Sequence, residues 1–474
     1  MNQEWKMGIA EAAGLLRRRE LSAVELLDSV LDRLQATEGY AHAWAHVDES
    51  AGREAARTAD ELAAKGQFAG ALHGIPLGVK DVINVRGMPT EGGSESLRGI
   101  IAEEDAGAVR QLRANGAVIL GKLQTHEFAF GQGTPPSRNP WSPDRYAGGS
   151  SVGSGVAVAV GSIPGALGTD TGGSVRNPAA INGLVGLKPS YGVVSSSGVV
   201  HVSHTMDHVG PIARSVEDCA ALLDGMAEPK GISLLGGPVS AQIRKLSGPA
   251  RLGVDRAIWT QWGVADGVVE AVEKALRVLA DLGFEIVELP LPELDLALHA
   301  SVAISLSEAV VHHRARLGTS AERYLPATRI MIETGALASE GDIELAWQVR
   351  HYLRSFIPRV MAQARVQALV SPTLPAIAPF ASSMSSELTA SPGEDSLAAA
   401  LRMLSAANLT GMPAVSVPCG FANGQPVGLH IMGQQHADAT VLAIANAYER
   451  ATQWHQQVPV HVLPLAVAEG MPRS

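Results

Sequence analysis

The spacing of apolar residues at the start of the chain predicts two helices. Apolar positions recur at helical intervals over residues 9–19, and Ser22-Ala-Val-Glu25 has the form of a capping box. A capping box marks the first turn of a helix, so a second helix is predicted to begin after Ser22 and to continue to about Gln35.

Further along the chain, short apolar runs alternate with amphipathic segments, which is typical of strands that alternate with helices. The predicted strands cover residues 75–82, 117–120, 251–254 and 284–289, and the predicted helices cover residues 105–115 and 266–282. Strand–helix–strand units of this kind build a sheet that carries helices on both faces. The expected fold class is therefore α/β: a single large α/β/α domain with a mixed, largely parallel central sheet.

The domain organisation follows from the lack of a long linker rich in Pro and Gly. Residues 1–474 are assigned to one domain, a length that a large α/β domain can reach. Residues 297–369 are mostly helical in pattern and are predicted to form a variable cap over the sheet. Residues 380–395 are rich in Ser and Pro and are predicted to be a surface loop.

Composition and charge argue against several classes of function. The chain has 37 Lys and Arg against 47 Asp and Glu, a net charge of −10 without a basic block, so nucleic-acid binding is not expected. No run of about eighteen apolar residues occurs, so no membrane span is expected. Cys219 and Cys419 cannot form a disulfide framework at this length, and the N-terminus lacks a signal-peptide pattern. A cytoplasmic globular protein is predicted.

The candidate chemistry is concentrated in two glycine–serine clusters, GGSSVGSG at residues 148–155 and GTDTGGSVRNPAA at residues 168–180. Glycine at this density costs backbone entropy and is tolerated where the main chain takes unusual angles or approaches a ligand. The run Thr171-Gly172-Gly173-Ser174 would present successive backbone N–H groups, as an oxyanion hole requires, and Ser174 could attack a carbonyl held there. A glycine-rich turn between a strand and a helix explains the same pattern without chemistry.

Together with segments elsewhere in the chain, the two clusters resemble the amidase signature family. The resemblance covers nearly the whole chain and is weakest over residues 220–369. The matching segments outside the clusters are Gly74-Ile-Pro-Leu-Gly-Val-Lys80-Asp, Asn182-Gly-Leu-Val-Gly-Leu-Lys-Pro-Ser190, Asp207-His-Val-Gly-Pro211, Arg214-Ser-Val-Glu-Asp218, Ser371-Pro-Thr373, Asn408-Leu-Thr-Gly-Met-Pro-Ala414 and Pro426-Val-Gly428.

The resemblance implies a Ser–cis-Ser–Lys triad formed by Ser174, Ser150 and Lys80. Ser174 matches the acylated nucleophile, and Ser150 matches the bridging serine, whose peptide bond with Gly149 is expected to be cis. Lys80 matches the base, which must be neutral near pH 7. Burial at the end of an apolar strand is therefore expected to lower its pKa from about 10.4.

Other positions are interpreted as supporting groups. Asp170 and Arg176 match polar positions of the family and are interpreted as an ion pair that braces the oxyanion loop. Val152 replaces a glycine that is usual in the first cluster, which is acceptable if Val152 starts the following helix. The walls of the substrate cavity are expected from residues 128–134 and 300–369. The expected substrate-binding residues are Phe128, Gly131, Gln132 and Gly133.

Two competing patterns point to other chemistry. Gly149-Ser-Ser151-Val-Gly153 has the form of a nucleophile elbow, which would make Ser151 the nucleophile of an α/β-hydrolase esterase. An elbow follows a central strand, and the two prolines within residues 139–146 argue against one there. Residues 116–122 imitate a phosphate-binding loop, but Leu123 stands where Ser or Thr would bind Mg²⁺, so a strand is predicted instead.

A histidine-rich segment raises the question of a metal site. His201, His204 and His208, with Asp207 among them, match no helix-borne zinc motif, and part of the segment belongs to the family-like pattern. No metal and no cofactor are therefore expected. His73 is expected to be a loop histidine with satisfied hydrogen bonds rather than a residue of the cavity.

The implied function is an amidohydrolase that cleaves linear C–N acyl bonds through an acyl-enzyme on Ser174. The bond would belong to a carboxamide, an anilide, a carbamate or a urea. The alternative is the glutamine-amidase subunit of a transamidation complex, which requires a polar pocket for the α-amino and α-carboxyl groups of glutamine. No sequence feature clearly supplies that pocket. The expected partner is a small-molecule amide or carbamate, with no nucleic acid and no membrane, and a homodimer is left open.

Overall fold

The computed structural model describes residues 4–131, 135–244, 250–384 and 396–459. The two predicted N-terminal helices are present, and the second begins with the capping box but continues to Ala41, beyond the predicted end near Gln35. Ser22 Oγ accepts from the Glu25 amide at 3.1 Å, and the Glu25 carboxylate accepts from the Ser22 amide at 2.8 Å. The α-helices are α1 (Ile9–Arg18), α2 (Ala23–Ala41), α3 (Glu49–Ala64), α4 (Gly107–Ala114), α5 (Val152–Val160), α6 (Arg176–Asn182), α7 (Val216–Met226), α8 (Pro229–Leu234), α9 (Arg256–Gln261), α10 (Asp266–Asp281), α11 (Leu296–Ser320), α12 (Pro326–Gly335), α13 (Glu340–Ala364), α14 (Ser396–Thr410) and α15 (Asp438–Ala451).

The predicted strands are present, with shifts of a few residues at most of their ends. The segment that imitates a phosphate loop is a buried strand, as predicted. The strands are β1 (Trp44–Val47), β2 (Pro76–Lys80), β3 (Val118–Leu123), β4 (Gly165–Asp170), β5 (Val185–Lys188), β6 (His208–Ala213), β7 (Arg251–Val254), β8 (Glu285–Glu288), β9 (Ala368–Pro372), β10 (Ala414–Ala422) and β11 (Gln425–Gly433).

These strands form one mixed sheet in the order β1-β3-β2-β4-β6-β5-β10-β11-β9-β7-β8, which confirms the predicted fold class. Within the described residues, parallel pairing is confined to β2 with β3 and β4, and to β7 with β8 and β9. The expectation that parallel pairing dominates is therefore wrong, because every pair from β4 through β6, β5, β10 and β11 to β9 is antiparallel. Antiparallel neighbours need only short connections. The connection between β10 and β11, for example, is the two-residue turn Asn423-Gly424.

Helices cover both faces of the sheet, as predicted. On one face α5 packs against α6, and α6 lies on β5, β10 and β11. On the other face α7 and α10 each pack against α15, which also lies on β10 and β11. A continuous buried cluster of mainly Ala, Val, Leu and Ile side chains fills the space between the sheet and these helices.

Helices α11, α12 and α13 occupy the region predicted to be a cap, and these three helices are called the cap below. Helix α11 packs against α12, α13 and α14, and a second apolar cluster lies beneath them. The helical part of the cap ends at Ala364, so the predicted boundary at residue 369 falls inside β9. Of the loop predicted over residues 380–395, Ala381–Met384 is a short 3₁₀ helix, and residues 385–395 lie outside the described residues.

One helical stretch among the described residues, Pro292–Arg323, is long and apolar enough to cross a membrane by length and composition alone. A single stretch of this kind is weak evidence for a membrane span. It includes α11, which carries the buried polar side chains Ser301, Glu308 and His313 and packs against the other cap helices.

Candidate active site

Lys80 is the last residue of β2, a strand that lies between β3 and β4 and is buried along its whole length. Its Nζ donates to Ser150 Oγ at 2.7 Å and to Thr169 Oγ1 at 2.8 Å. The side chain is fully buried, and none of the ion pairs among the described residues includes it. The fold thus brings two of the predicted triad residues, Lys80 and Ser150, into direct contact.

The electrostatic surroundings of Lys80 favour the neutral amine. Burial lowers the pKa of Lys80 to about 7, and the charges of Asp207 and Asp170 act in the opposite direction. A pKa near 7 leaves a substantial fraction of the amine unprotonated at neutral pH, which is the state that a general base requires.

Ser150 and Ser174 line the same cavity. Ser150 is buried, and the Gly149–Ser150 peptide bond is cis, as the resemblance implies. Ser174 follows Gly173, whose φ of 118° lies in the region that favours glycine. The carbonyl of Ser174 accepts from the Ser151 amide at 3.3 Å, which ties the two glycine–serine clusters together.

Ser151, the candidate nucleophile of the elbow pattern, is fully buried and does not line the cavity. Its Oγ donates to the Thr169 carbonyl at 3.2 Å and accepts from the Thr169 amide at 3.3 Å, so it holds β4 against α5. Val152 is the first residue of α5, where a β-branched side chain is acceptable. The departure from the family pattern at Val152 therefore leaves the backbone unstrained.

The predicted ion pair between Asp170 and Arg176 is present, completely buried, with the closest side-chain contact at 3.0 Å. Burial raises the pKa of Asp170, but the charge and hydrogen bonds of Arg176 outweigh it and hold that pKa well below its usual range. Arg176 also donates to Asn408 Oδ1 at 2.6 Å and to the Leu404 carbonyl at 3.1 Å. The pair therefore anchors the loop after β4 to helix α14.

The backbone of that loop corrects one part of the predicted oxyanion hole. The Gly173 amide donates to Asp170 Oδ1 at 2.8 Å, so it is not free to hold a substrate oxygen. The carboxylate of Asp170 reaches it because the loop turns back over the end of β4. The amides of Thr171, Gly172 and Ser174 stay candidates for the oxyanion hole.

The cavity beside the two serines has a volume of about 230 Å³ and a mostly apolar wall. Its walls come from residues 129–131, the N-terminal half of α11, residues 374–379 and α14. The lining residues that the structure describes include no Asp, Glu, Lys, Arg or His. The polar side chains of the lining are Tyr146, Ser150, Thr171, Ser174, Asn177, Ser301, Ser305 and Ser405.

The structure places one predicted substrate-binding residue at the cavity and another away from it. Gly131 lines the cavity, whereas Phe128 does not and is fully buried. Phe128 has a φ of 49°, and its ring packs on His313 and Tyr324 with ring centroids 4.5 Å and 5.0 Å away. This turn directs Phe128 into the cap, and the neighbouring Phe130 lines the cavity instead. Gln132 and Gly133 lie outside the described residues.

His201, His204 and His208, considered above as a possible metal site, do not form one cluster. His208 is buried and hydrogen-bonds a backbone carbonyl through Nδ1, away from the other two. His312 of α11 takes its place, with its ring centroid 5.5 Å from those of both His201 and His204. Among the residues that the structure describes, no group of three or more His, Cys, Asp or Glu could hold a metal ion. His73 bonds two backbone groups, as expected of a loop histidine.

Sequence reasoning missed two residues that hold the site together. Thr169 lies one position before Asp170 on β4 and accepts from Lys80. Asn408 of α14 donates to both the carbonyl and the carboxylate of Asp170 at 2.8 Å. Side chains alternate between the two faces of a strand, so Thr169 could have been found as the residue beside Asp170 that points to the opposite face. Asn408 could not have been found in this way, because it lies 238 residues from Asp170.

Comparisons with known proteins show the family of the chain. A family model described as Amidase matches residues 25–442. The chain is 38% identical to an amidase from Pseudomonas putida, over 97% of this chain and 99% of that protein. It is 37% identical to a subunit of the glutamyl-tRNA(Gln) amidotransferase from Roseiflexus castenholzii, over 97% and 98%. A solved structure of 6-aminohexanoate cyclic dimer hydrolase complexed with substrate matches with a TM-score of 0.87 at 26% identity, covering 98% of this chain and all of that one (100%).

The fold and the site thus define a hydrolase that acts on carbon–nitrogen bonds. The chain belongs to the amidase signature family.

Proposed function

We propose that the chain is a stand-alone amidohydrolase that cleaves the linear C–N bond of an uncharged, largely apolar substrate through an acyl-enzyme on Ser174. The observation that carries this proposal is the cavity beside Ser174, whose described lining has no Asp, Glu, Lys, Arg or His. A charged group of a substrate would lose its hydration there without gaining an ionic partner, which is costly. Both the acyl part and the amine part are therefore expected to be neutral.

The proposed proton relay runs from Ser174 through Ser150 to Lys80. Neutral Lys80 takes the proton of the Ser150 hydroxyl, Ser150 takes that of Ser174, and Ser174 Oγ bonds to the carbonyl carbon. The relay then returns the proton to the leaving nitrogen as the C–N bond breaks. Water hydrolyses the acyl-enzyme by the same route. The 2.7 Å contact between Lys80 and Ser150 supports the first transfer.

Negative charge on the carbonyl oxygen would be held by the amides of Thr171, Gly172 and Ser174. Donors of this kind are effective when they are fixed before the reaction and need no reorganisation. The buried pair of Asp170 and Arg176 supports such rigidity, since Asp170 also binds the amide of Gly173 within the loop.

The choice among a carboxamide, an anilide, a carbamate and a urea is left to the assay, because each presents a carbonyl bonded to nitrogen to the same relay. The cytoplasmic location and the homodimer also stay predictions. The free, buried state of Cys219 and Cys419 is in keeping with a reducing compartment.

A second candidate function is the glutamine-amidase subunit of a transamidation complex. The similarity to a glutamyl-tRNA(Gln) amidotransferase protein over nearly the whole chain favours it. Glutamine, however, carries an ammonium and a carboxylate, and the described lining of the cavity offers neither group an oppositely charged side chain. We therefore place this function second.

The test is hydrolysis by the purified chain alone, with L-glutamine compared against uncharged aliphatic amides, anilides and carbamates. We expect turnover of at least one uncharged class, no turnover of glutamine, and complete loss in Ser174→Ala. Glutamine hydrolysis as efficient as that of any uncharged substrate would contradict the proposal. Glutamine hydrolysis that appears only in the presence of the other proteins of an amidotransferase would establish the second candidate.

A further inference from the structure

A second carboxylate, besides Asp170, holds the oxyanion loop. Thr171 lines the substrate cavity, and its Oγ1 donates to Asp207 Oδ1 at 2.6 Å. Asp207 precedes β6, the antiparallel neighbour of β4, and 3% of its side chain is exposed. The group that fixes Thr171 therefore belongs to the turn before a neighbouring strand and not to the oxyanion loop itself.

Both oxygens of the Asp207 carboxylate have further donors. Oδ1 also accepts from the Ser203 amide at 3.2 Å, and Oδ2 accepts from the Val202 amide at 3.1 Å and from His201 Nδ1 at 2.8 Å. A buried carboxylate with donors on both oxygens cannot rotate without leaving some of them unpaired, which is costly. The Thr171 hydroxyl thus has an acceptor with a fixed orientation.

The turn that supplies these donors is also attached to the wall of the cavity. The Ser203 hydroxyl donates to Glu308 of α11, and the Thr205 amide and hydroxyl donate to the same carboxylate at 3.2 Å and 2.8 Å. Helix α11 contributes Val302 and Leu306 to the cavity lining. Hydrogen bonds through Glu308, the turn and Asp207 therefore connect the substrate wall with the oxyanion loop.

We propose that Asp207 is a positioning residue for the reaction, which orients the oxyanion loop by holding the Thr171 hydroxyl and acts on Lys80 through its charge. The inference rests on the proposed function, because it assigns a role in the same reaction. Oxyanion donors act mainly in the transition state, so a loss of orientation lowers kcat and leaves KM nearly unchanged.

The charge of Asp207 provides a readout that a merely structural role would not move. Burial lowers the pKa of Lys80 to about 7, and Asp207 and Asp170 oppose that shift because they stabilise the ammonium form. Replacement of the Asp207 carboxylate by an amide removes one of these charges, so Lys80 should lose its proton at lower pH. The other titratable groups that face Asp207 or Lys80 are His126, Tyr191, His201 and His312.

The test compares kcat, KM and the pH dependence of kcat/KM in Asp207→Asn, Thr171→Val and Thr171→Ser. For Asp207→Asn, kcat should fall about 10- to 100-fold, and KM should stay within about twofold of the wild-type value. The acid limb of the pH profile of kcat/KM, where the rate rises as Lys80 loses its proton, should move to lower pH. Thr171→Val should lower kcat by a similar factor without that move, and Thr171→Ser should be about tenfold more active than Thr171→Val because its hydroxyl remains.

Two controls sharpen the comparison. Asp48→Asn makes the same chemical change at the N-cap of α3, where Asn also caps, and should leave all three quantities unchanged. The double variant Asp207→Asn/Thr171→Val should lose little more activity than the less active single variant, because both substitutions act on the same contact.

An Asp207→Asn enzyme with wild-type kcat would overturn the inference, as would a loss that lies wholly in KM with an unmoved acid limb. If Asp207→Asn does not fold by circular dichroism, the Thr171 variants decide, and equal activity of the two contradicts the inference. Ser174→Ala separates this inference from the proposed function. Residual turnover in Ser174→Ala contradicts the function, whereas an inactive Ser174→Ala beside an unaffected Asp207→Asn contradicts only the role of Asp207.

Discussion

Lys80 and Lys122 are fully buried lysines on the adjacent parallel strands β2 and β3, and their surroundings fit them for different roles. Lys122 Nζ contacts the Asp81 carboxylate at 2.9 Å, the Thr90 hydroxyl at 2.9 Å and the Pro89 carbonyl at 2.8 Å. Lys80 Nζ contacts two hydroxyls. Burial lowers the pKa of both amines, but Asp81 opposes that shift at Lys122 from within contact distance.

The difference shows that the partner, and not burial alone, decides what a buried lysine can do. Asp81 follows Lys80 directly in the chain, yet it pairs with Lys122, because successive side chains of a strand point to opposite sides. An ammonium beside a carboxylate keeps its proton, whereas an ammonium held by hydroxyls gives it up more readily. The pair at Lys122 is therefore structural, and Lys80 is suited to act as a base.

The largest expected effect is the loss of chemistry at Lys80. Lys80→Met should lower kcat/KM by at least about 10³-fold, because the relay then has no base. Lys80→Arg should fail almost as badly, since a guanidinium keeps its proton. The buried hydroxyls of Ser150 and Thr169 lose the partner that Lys80 provides, so thermal unfolding is measured first and the rates are compared on folded enzyme. A folded Lys80→Arg enzyme with near-normal kcat would show that Lys80 is not the base.

At Lys122 we expect the opposite: substitution should lower the stability of the fold and leave kcat unchanged. Lys122→Met leaves the Asp81 carboxylate buried and unpaired, which should cost about 3–5 kcal/mol of the free energy of unfolding. Urea unfolding measures that loss, and kcat per folded molecule should stay at the wild-type level. Adding Asp81→Leu should restore part of the stability, because it removes the unpaired carboxylate but leaves the Pro89 carbonyl and the Glu91 amide without these partners. A large fall of kcat in the folded fraction would remove the distinction between the two lysines.

A smaller effect is expected at Thr169, which accepts from Lys80 at 2.8 Å and fixes the orientation of its amine toward Ser150. Thr169→Val keeps the shape of the side chain and should lower kcat about tenfold through poorer alignment of the base. Thr169→Ser keeps the hydroxyl and should recover most of the loss. Equal rates in the valine and serine variants would show that the contact does not position Lys80.

The smallest effect on chemistry is expected at Ser151. Its hydroxyl bonds the backbone of Thr169, so Ser151→Ala should cost about 1–2 kcal/mol of stability. We expect kcat to change by less than about threefold, since Ser151 does not line the cavity. An inactive Ser151→Ala beside an active Ser174→Ala would instead favour the elbow mechanism.

The resemblance to the family assigned Lys80, Ser150 and Ser174, because each lies in a continuous segment that matches the family. The structure brings Lys80 into contact with Ser150, and the role of Ser174 stays a prediction. The parts of the site that depend on distant segments could not be predicted. Asn408 of α14 reaches Asp170, which lies 238 residues away in the chain, and His312 reaches His201 from α11. Neither contact has a signal in the spacing of residues along the chain.

In the fold, too, segments with a clear local pattern could be predicted and segments without one could not. The capped start of α2 and the apolar strand Arg251–Val254 could be predicted closely, whereas α2 continues to Ala41, well beyond its predicted end near Gln35. The central strands Gly165–Asp170 and His208–Ala213 contain Gly or Pro and lack a clear alternation, so the antiparallel centre of the sheet was missed. The turn Asn423-Gly424 is a favoured hairpin signal and could have revealed one antiparallel pair.

The most direct test of the central claim is the pH dependence of kcat/KM for an uncharged substrate, measured on folded enzyme between about pH 5 and pH 9.5. A base must be unprotonated in the free enzyme, and the pKa of Lys80 lies at about 7. The account therefore predicts that kcat/KM rises with pH through about 7 and then levels off. A profile that is flat or falls across this range would contradict Lys80 as the general base.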